Sequence, residues 1–459
     1  MIQPSSNRKS RSGIFHIGID DTDSSDGMCT TFLTYKLVEI LLRKNVTRLI
    51  DYPNLIRLNP NIPWKTRGNA SLVLRLETEL SRQTLFRICK SVIDRFATSE
   101  RANAGLAILE GAEVPDKVVE FSKGALFTVQ SLTEARSIME KEGLSYYGLR
   151  TKQGLVGALA GIGNELKSDY TFELIAYRKN CSVRRSLDKS RIIEMDRDTR
   201  PLTFNCYDKE NDRVLIMPHG PDPVLLGIRG ETPKAVKEAF QMLLPLNNLL
   251  GYMIFRSNQG TGEHLQAKLD LSRPKAYTSG KVSGIVSSLP RIETGGHVYF
   301  NLRNEQGEIP CAAYEPTGKF RMNVLSLYLG DEIEVAGGIR KNTSKHPKIL
   351  NLEYVIPLKL VSHWKEQNPK CPQCMGTMSS EGRNQGFQCK ECGFKSKSVS
   401  KLKTRVERQL TEDRLYLPDL KAHRHLTKPL QRYIYEKSNS GNSAIARWGE
   451  FLENWILTS

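Results

Sequence analysis

The sequence predicts a multidomain α+β protein, and three observations carry that expectation. Over residues 13–270, apolar strand-like runs alternate with segments whose apolar residues recur at helical spacing. Over 275–360 the pattern changes to short strands separated by glycine turns. A single cysteine quartet then precedes a basic tail. A chain of 459 residues suits about three domains of ordinary size.

The first unit, residues 13–168, opens on Ile14-Phe15-His16-Ile17-Gly18-Ile19, a strand-like run that ends in Asp20, Asp21 and Asp23. Three carboxylates this close repel one another unless a cation lies among them. Mg²⁺ carrying phosphate oxygens is the usual answer, because it needs only one or two carboxylates plus water. A solvated acidic turn is the plain alternative. A Ser-Ser-Asp-Gly turn follows, and Gly27 can bring backbone N–H groups close to a phosphate at a helix start. Thr30 and Thr31 open that helix, whose apolar stripe is Leu33, Leu37, Ile40 and Leu41. The loop 58–69 holds Pro60, Pro63, Lys65 and Arg67. It suits triphosphate oxygens, Arg67 binding in bidentate fashion, as well as it suits an ordinary basic surface. Ser71–Leu76 and Asn103–Leu109 read as strands. The glycines of 154–163 fall at helical spacing and predict close helix packing rather than a nucleotide loop.

The second unit, residues 169–272, holds strands near Tyr170–Tyr177 and Tyr252–Ser257, with a helix opened by Thr232-Pro233. Two polar loops at strand ends, one with Asp222 and one with Gln259 and Glu263, suit a small cationic ligand or are simply turns. Residues 275–360 predict a small barrel of the OB type, in which Tyr299, Phe300 and Tyr314 either stack on bases or pack the core.

The spacing Cys371-x₂-Cys374-x₁₄-Cys389-x₂-Cys392 predicts a structural Zn²⁺ ribbon over 366–398, with Gly376, Gly386 and Gly393 in its tight turns. The other five cysteines are isolated, which suits a reducing cytoplasm. The tail, 399–459, is expected to be basic and helical. Residues 395–437 hold 12 Lys/Arg against 5 Asp/Glu. Arg424, His425, Lys428 and Arg432 interleave with aromatics and suit phosphate contacts. The formal charge of +17 points to an acidic partner. No apolar run approaches a membrane span, and Met1–Ser12 is polar, so nucleic acid is favoured over a membrane.

The run Asp20-Asp21-Thr22-Asp23…Gly27-Met28-Cys29-Thr30-Thr31 resembles the opening of the archaeal tRNA(Ile) 2-agmatinylcytidine synthetases (TiaS), and the resemblance extends over essentially the whole chain. It implies a kinase-like domain, a ferredoxin-like domain, an OB fold and a zinc ribbon, in that order. The implied reaction is an ATP-dependent joining of agmatine to the wobble cytidine of the CAU-anticodon isoleucine tRNA, through a phosphorylated cytidine. ATP, Mg²⁺ and structural Zn²⁺ come with it, and no obligate protein partner is evident. The resemblance gives Gly27, Thr31, Lys65 and Arg67 to ATP, and Asp20, Asp21, Asp23 and Thr30 to catalysis, with Thr30 as a possible phosphate carrier. It gives Asp222, Gln259 and Glu263 to agmatine. The family carries an aspartate directly after Gln-Gly-Thr, where this chain has Gly262-Glu263. Two rivals stand beside it: a non-enzymatic single-strand-binding protein, which leaves the acidic run without a job, and a small-molecule kinase, which leaves the C-terminal modules idle.

Overall fold

The computed structural model describes residues 12–23, 27–344, 347–437 and 455–457. Ser24, Ser25 and Asp26 of the expected turn lie outside the described residues. The first half contains β1 (Gly13–Asp20), α1 (Thr30–Leu42), β2 (Thr47–Leu49), β3 (Asn54–Arg57), β4 (Ala70–Thr78), α2 (Arg82–Phe96) and β5 (Gly105–Glu110). It continues with α3 (Asp116–Phe127), α4 (Leu132–Lys141), β6 (Ser145–Gly148) and α5 (Gly154–Gly163). The next stretch adds β7 (Thr171–Arg178), α6 (Lys189–Thr199), β8 (Thr203–Phe204), a small hairpin of β9 (Tyr207–Asp208) and β10 (Arg213–Val214), β11 (Val224–Gly230), α7 (Pro233–Met242) and β12 (Leu249–Ser257).

One sheet spans both of the expected α/β units, in the order β6-β5-β1-β4-β3-β12-β7-β11-β8. Its halves join where β12 runs parallel to β3, Arg256 opposite Asn54 and Ser257 opposite Leu55. Elsewhere β12 lies antiparallel to β7. The core is shared as well: Leu33, Tyr35 and Leu37 of α1 belong to one buried cluster with Phe172, Tyr177, Phe240 and Phe255. Tyr35 and Tyr177 have ring centroids 4.8 Å apart. Trp455 joins this cluster from the end of the chain, and Ile456–Leu457 pairs with β12.

The opposite face of the sheet is covered by α3, α4 and α5, through Leu155, Leu159, Val118 and Met139. The glycines of α5 let it sit directly on β1. A Cβ on Gly18 would meet the Ala158 carbonyl at 2.1 Å, and one on Gly157 would meet the Asp20 carboxylate at 1.6 Å. The predicted small-residue packing therefore places α5 against the first catalytic candidate.

The third unit is a closed five-stranded barrel of β13 (Ser279–Val286), β15 (Val298–Asn304), β16 (Gly307–Ala313), β17 (Glu332–Arg340) and β18 (Ile349–Lys359), with the short β14 (Arg291–Ile292) at its edge. Closure runs through Ile285 opposite Arg303 and Val286 opposite Leu302. A helix, α8 (Lys319–Leu325), lies between the third and fourth barrel strands and packs Phe320 and Val324 into the core. Phe300 is fully buried there, whereas Tyr299 and Tyr314 lie outside in an edge-to-face pair.

Trp364–Gln367 pairs with Leu402–Arg405 as an exposed stem that carries the ribbon. The tail, expected to be helical, holds in its described residues that strand, the short Ile456–Leu457 and two 3₁₀ turns, Leu420–Ala422 and Leu430–Ile434, and no α-helix, while 438–454 lie outside the described residues. Pro418 and Pro429 interrupt any helical hydrogen-bond ladder. The segment is held by its side chains instead.

Candidate active site

Strand β1, paired on both sides, delivers Asp20 at its C-terminal end, and Asp21, at φ +54, turns the chain away. The Asp21 N–H donates to Asp20 Oδ1 at 2.7 Å. Asp21 Oδ1 in turn accepts from the Thr66 hydroxyl at 3.3 Å. Asp23 reaches over the start of α1, accepting from the Thr30 N–H at 2.5 Å and the Thr30 hydroxyl at 2.7 Å. It thus caps a helix whose own preceding residue, Cys29, provides no side-chain cap. The buried Thr22 hydroxyl donates to Thr30 Oγ1 at 3.0 Å. Thr31 Oγ1 lies 3.0 Å from Cys29 Sγ. Gly27, at φ +129, backs onto the Pro221 carbonyl.

Burial raises the Asp20 carboxyl well above the usual range, and the Asp21 charge adds to it. Burial likewise lifts Asp21 to about 6, with Asp23 pushing the same way. Desolvated carboxylates beside like charge fit a divalent cation. The three carboxylates nevertheless do not converge on one point in this structure. Among the described residues, the cysteine quartet is the only group of three or more ligating side chains close enough to share an ion. Asp20 and Asp21 line one narrow cleft with Lys65, Thr66 and Gln153, while Asp23 lines a larger one. The left-handed turn at Asp21 and the capping role of Asp23 separate them.

The larger cleft encloses about 460 Å³ between the two halves of the sheet. Thr30, Thr31, Arg67, Glu173, Asp222 and Arg229 are among its polar lining, as are Arg57 and His425, with Ile175 and Pro218 among the apolar residues. One guanidinium links its two sides: Arg67 Nη1 is 3.9 Å from Asp23 Oδ2 and 3.6 Å from Asp222 Oδ2. Asp222 is held by Arg185, which donates to Oδ1 at 3.0 Å. The structure therefore brings together Thr30, Asp23 and Arg67 with Asp222.

The other two residues expected beside Asp222 lie elsewhere. Gln259 is fully buried behind the cleft and donates through Nε2 to Glu173. Glu263 accepts from Asn258 at 2.9 Å and Asn164 at 3.5 Å and is absent from the cleft wall. Burial raises its carboxyl. Glu173, which sequence reasoning passed over, stands on the cleft floor and accepts from Arg229 at 3.3 Å. Its signal was visible: a lone carboxylate in the apolar strand Thr171-Phe172-Glu173-Leu174-Ile175-Ala176 needs a buried partner.

The four tail residues expected to meet phosphates all have partners within the protein, and Arg424 and His425 also line an open cleft with Lys65 and Arg67. Arg432 is fully buried, paired with Glu231 at 2.6 Å and Asp169 at 2.9 Å. Lys428, also buried, pairs with Glu436 at 2.7 Å and Asp169 at 3.5 Å. Arg424 donates to Asn61 Oδ1 at 2.6 Å and stands 3.4 Å from Glu353. Arg229 donates to His425 Nδ1 at 2.9 Å. Burial, with Arg57, Arg229 and Lys65 nearby, keeps His425 neutral. Three of the four residues thus stand beside acids of the protein itself, Asp169, Glu231 and Glu353.

In the ribbon, the four Sγ atoms lie within 4.8 Å of one another, Cys371–Cys392 at 3.5 Å and Cys374–Cys389 at 3.4 Å. Tetrahedral Zn–S bonds of about 2.3 Å require S···S edges near 3.8 Å, so the quartet fits Zn²⁺ with no position left for substrate. Gly386 and Gly393 take left-handed backbone, as expected, but the third such turn falls on Met375 at φ +61 rather than on Gly376.

Models of three TiaS modules match the chain: the TCKD domain over 16–84, the FLD domain over 152–264 and the C-terminal zinc ribbon domain over 368–410. The tRNA(Ile2) 2-agmatinylcytidine synthetase TiaS of Pyrococcus horikoshii is 40% identical over 91% of this chain and 97% of its own length. That of Cenarchaeum symbiosum is 39% identical over 91% and 92%. The solved TiaS–tRNA(Ile2)–ATP complex matches with a TM-score of 0.80 at 37% identity, covering 92% of this chain and 97% of its own. The TiaS–tRNA(Ile2)–AMPCPP–agmatine complex matches with a TM-score of 0.77 at 35% identity, over the same shares. Sheet, barrel, ribbon and cleft are thus those of a known enzyme family, and the chain belongs to it: the TiaS tRNA(Ile2) 2-agmatinylcytidine synthetases.

Proposed function

We infer that this chain joins agmatine, with ATP consumption, to the wobble cytidine of the isoleucine tRNA bearing a CAU anticodon. Solved relatives that hold tRNA(Ile2) with ATP, or with AMPCPP and agmatine, support the substrate set. The observation that carries the reading is the Arg67 guanidinium, which lies between Asp23 on the Thr30 side and Asp222 on the other, in one cleft.

The chemistry gives each side its work. The carbonyl between the ring nitrogens of cytosine is a poor electrophile, since its oxygen does not leave. Phosphorylating that oxygen makes it a leaving group, and the primary amine of agmatine then displaces phosphate. Lys65 and Arg67 would hold the transferring phosphate, and Thr30, already hydrogen-bonded to Asp23, would orient it. Asp20 and Asp21 would hold Mg²⁺, which neutralises charge on the phosphates. Asp222 and Glu173 offer carboxylates to a ligand carrying an amine and a guanidinium. The wobble base reaches this cleft by leaving its stack, which a loop permits at low cost.

On this reading residues 13–168 act as the kinase-like domain, 169–272 as the ferredoxin-like domain, and 275–360 as an OB fold whose Tyr299, Tyr314, His297 and Arg340 offer stacking and cationic surfaces. The Zn²⁺ of the ribbon is structural. A tRNA substrate places the enzyme in the cytoplasm, and no helix among the described residues is long and apolar enough to cross a membrane. Transcribed tRNA incubated with ATP and agmatine, then digested to nucleosides and weighed, should yield 2-agmatinylcytidine at the wobble position. Unmodified cytidine with all three substrates present would refute the assignment.

A further inference from the structure

The loop that carries Lys65 and Arg67 is fastened to the barrel, although the two belong to different units. Asn59, fully buried, donates to the Tyr277 carbonyl at 2.7 Å and accepts from Ser279 Oγ at 3.0 Å. Asn61 donates to Ser279 Oγ at 2.6 Å and accepts from Arg424 Nη1 at 2.6 Å. The Asn59 side chain also accepts from the Asn61 N–H at 3.0 Å, which ties the two asparagines together. Trp64 sets its ring edge-on to Tyr277 at 5.9 Å. On the barrel side, Ser279 of β13 stands opposite Gly338 of β17. The Asn61 amide lies across that pair so closely that a Cβ on Gly338 would come within 2.0 Å of Asn61 Nδ2 and 2.2 Å of its Cγ.

At its other end, the loop meets the acids. Thr66 donates to Asp21, and Arg67 lies between Asp23 and Asp222. Five residues separate Asn61 from Arg67, so a shift of the anchor moves the guanidinium directly.

We propose that Asn61, seated on the Ser279–Gly338 pair of the barrel and held by Arg424 of the tail, is a positioning residue. It sets the 60–68 loop against Asp21 and Asp23 and makes phosphate chemistry depend on how the barrel sits. The inference rests on the phosphate role given above to Lys65 and Arg67. Asn61 touches no reacting group; it acts through the loop. An RNA-binding barrel fastened this way tightens or relaxes the phosphate site as it engages its substrate.

The test compares Asn61→Ala, Gly338→Ala and the double variant, with Arg67→Ala as reference, in ATP turnover and in tRNA affinity. Asn61→Ala should cut turnover on the order of 10- to 100-fold, the usual penalty for a misplaced catalytic group, with tRNA affinity within about twofold. Gly338→Ala should do likewise from inside the barrel. The double variant should lose no more than Asn61→Ala alone, because the truncated side chain leaves room for the added methyl. A loss through general instability would multiply instead, and would overturn the proposal. Ser279→Ala, which adds no bulk, covers the case in which Gly338→Ala fails to fold, and should also lower turnover without weakening tRNA binding. Wild-type turnover in Asn61→Ala beside an inactive Arg67→Ala would sink this inference alone. Full turnover in Arg67→Ala would sink the phosphate role of the loop and this inference with it.

Discussion

The cysteine quartet and the aspartate run both gather several ligating side chains, yet one converges and the other spreads. Each Cys-x-x-Cys closes on itself: the Met375 N–H donates to the Cys371 carbonyl and the Gly393 N–H to the Cys389 carbonyl. These local turns aim two thiols from each hairpin at one point, and the strand pairing of Met378 with Cys389 brings the hairpins together. The aspartates are closer in sequence, but the left-handed turn at Asp21 and the capping contact of Asp23 send them to different partners. Asp20 settles on Gly157, Asp21 on Thr66 and Asp23 on Thr30. Closeness along the chain therefore means convergence only when the backbone between the ligands is a turn built for it.

The largest effect that tests this contrast is loss of the ribbon's ion. Structural zinc in such modules contributes about 10–16 kcal/mol of apparent binding energy, which is also its folding energy. Cys389→Ser should therefore unfold residues 368–398 while the large sheet stays intact, as followed by amide hydrogen exchange. Unaltered protection of the ribbon amides in that variant would mean that its hairpins hold without the metal.

A third cluster sharpens the comparison, because its charges are of opposite sign and need no ion to converge. Arg432 is fully buried between Asp169 and Glu231, with Lys437 3.0 Å from Glu231. Replacing Arg432 by Met leaves two buried acids short of a partner, and should cost about 3–5 kcal/mol. The expected readout is a lowered denaturation midpoint with unchanged cleft chemistry in the folded fraction. A midpoint equal to wild type would return the tail to the surface role expected from its charge.

Much of this architecture was legible. The strand ending at Asp20, the helix opening at Thr30, the helix after Thr232, the barrel's short strands and the ribbon all follow from local periodicity and spacing. What stayed hidden was long-range. Nothing local to Asn54 or Arg256 announces that β3 and β12 pair and fuse two units into one sheet. Nothing local to Arg432 says that its partners are Asp169 and Glu231, more than 200 residues away. Of the cleft, Asp23, Thr30, Arg67 and Asp222 could be named because each follows a turn signal. Glu173 was overlooked because it sits inside a strand, away from any turn signal, although a lone carboxylate among apolar neighbours calls for a partner.

Within the aspartate run, opposite signs of stability change would show how separately its members act. Asp20 is a buried charge beside another of like sign, so Asp20→Asn should stabilise the metal-free protein by about 1 kcal/mol at neutral pH. Asp23 caps α1, so Asp23→Ala should destabilise it by about 1 kcal/mol. Both should abolish ATP turnover. Thermal melts without divalent cation decide the matter, and equal shifts in the same direction would mean that the three acids behave as one cluster after all.

The smallest expected effect lies in the ribbon, where its two turns differ in one residue. After the second cysteine of each pair the chain turns left-handed, at Met375 with φ +61 and at Gly393 with φ +77. The Met375 side chain is 70% exposed, so packing does little to offset the strain. A non-glycine residue in this region costs about 1–2 kcal/mol, whereas glycine gives back about 0.5–1 kcal/mol through its freer unfolded chain. Met375→Gly should therefore stabilise the ribbon by roughly 0.5 kcal/mol, which is about a twofold gain in zinc affinity against a competing chelator. Gly393→Met should shift affinity the other way. If Met375→Gly instead weakens zinc binding, the exposed methionine makes a contact that backbone strain does not account for, and the two turns are not equivalent.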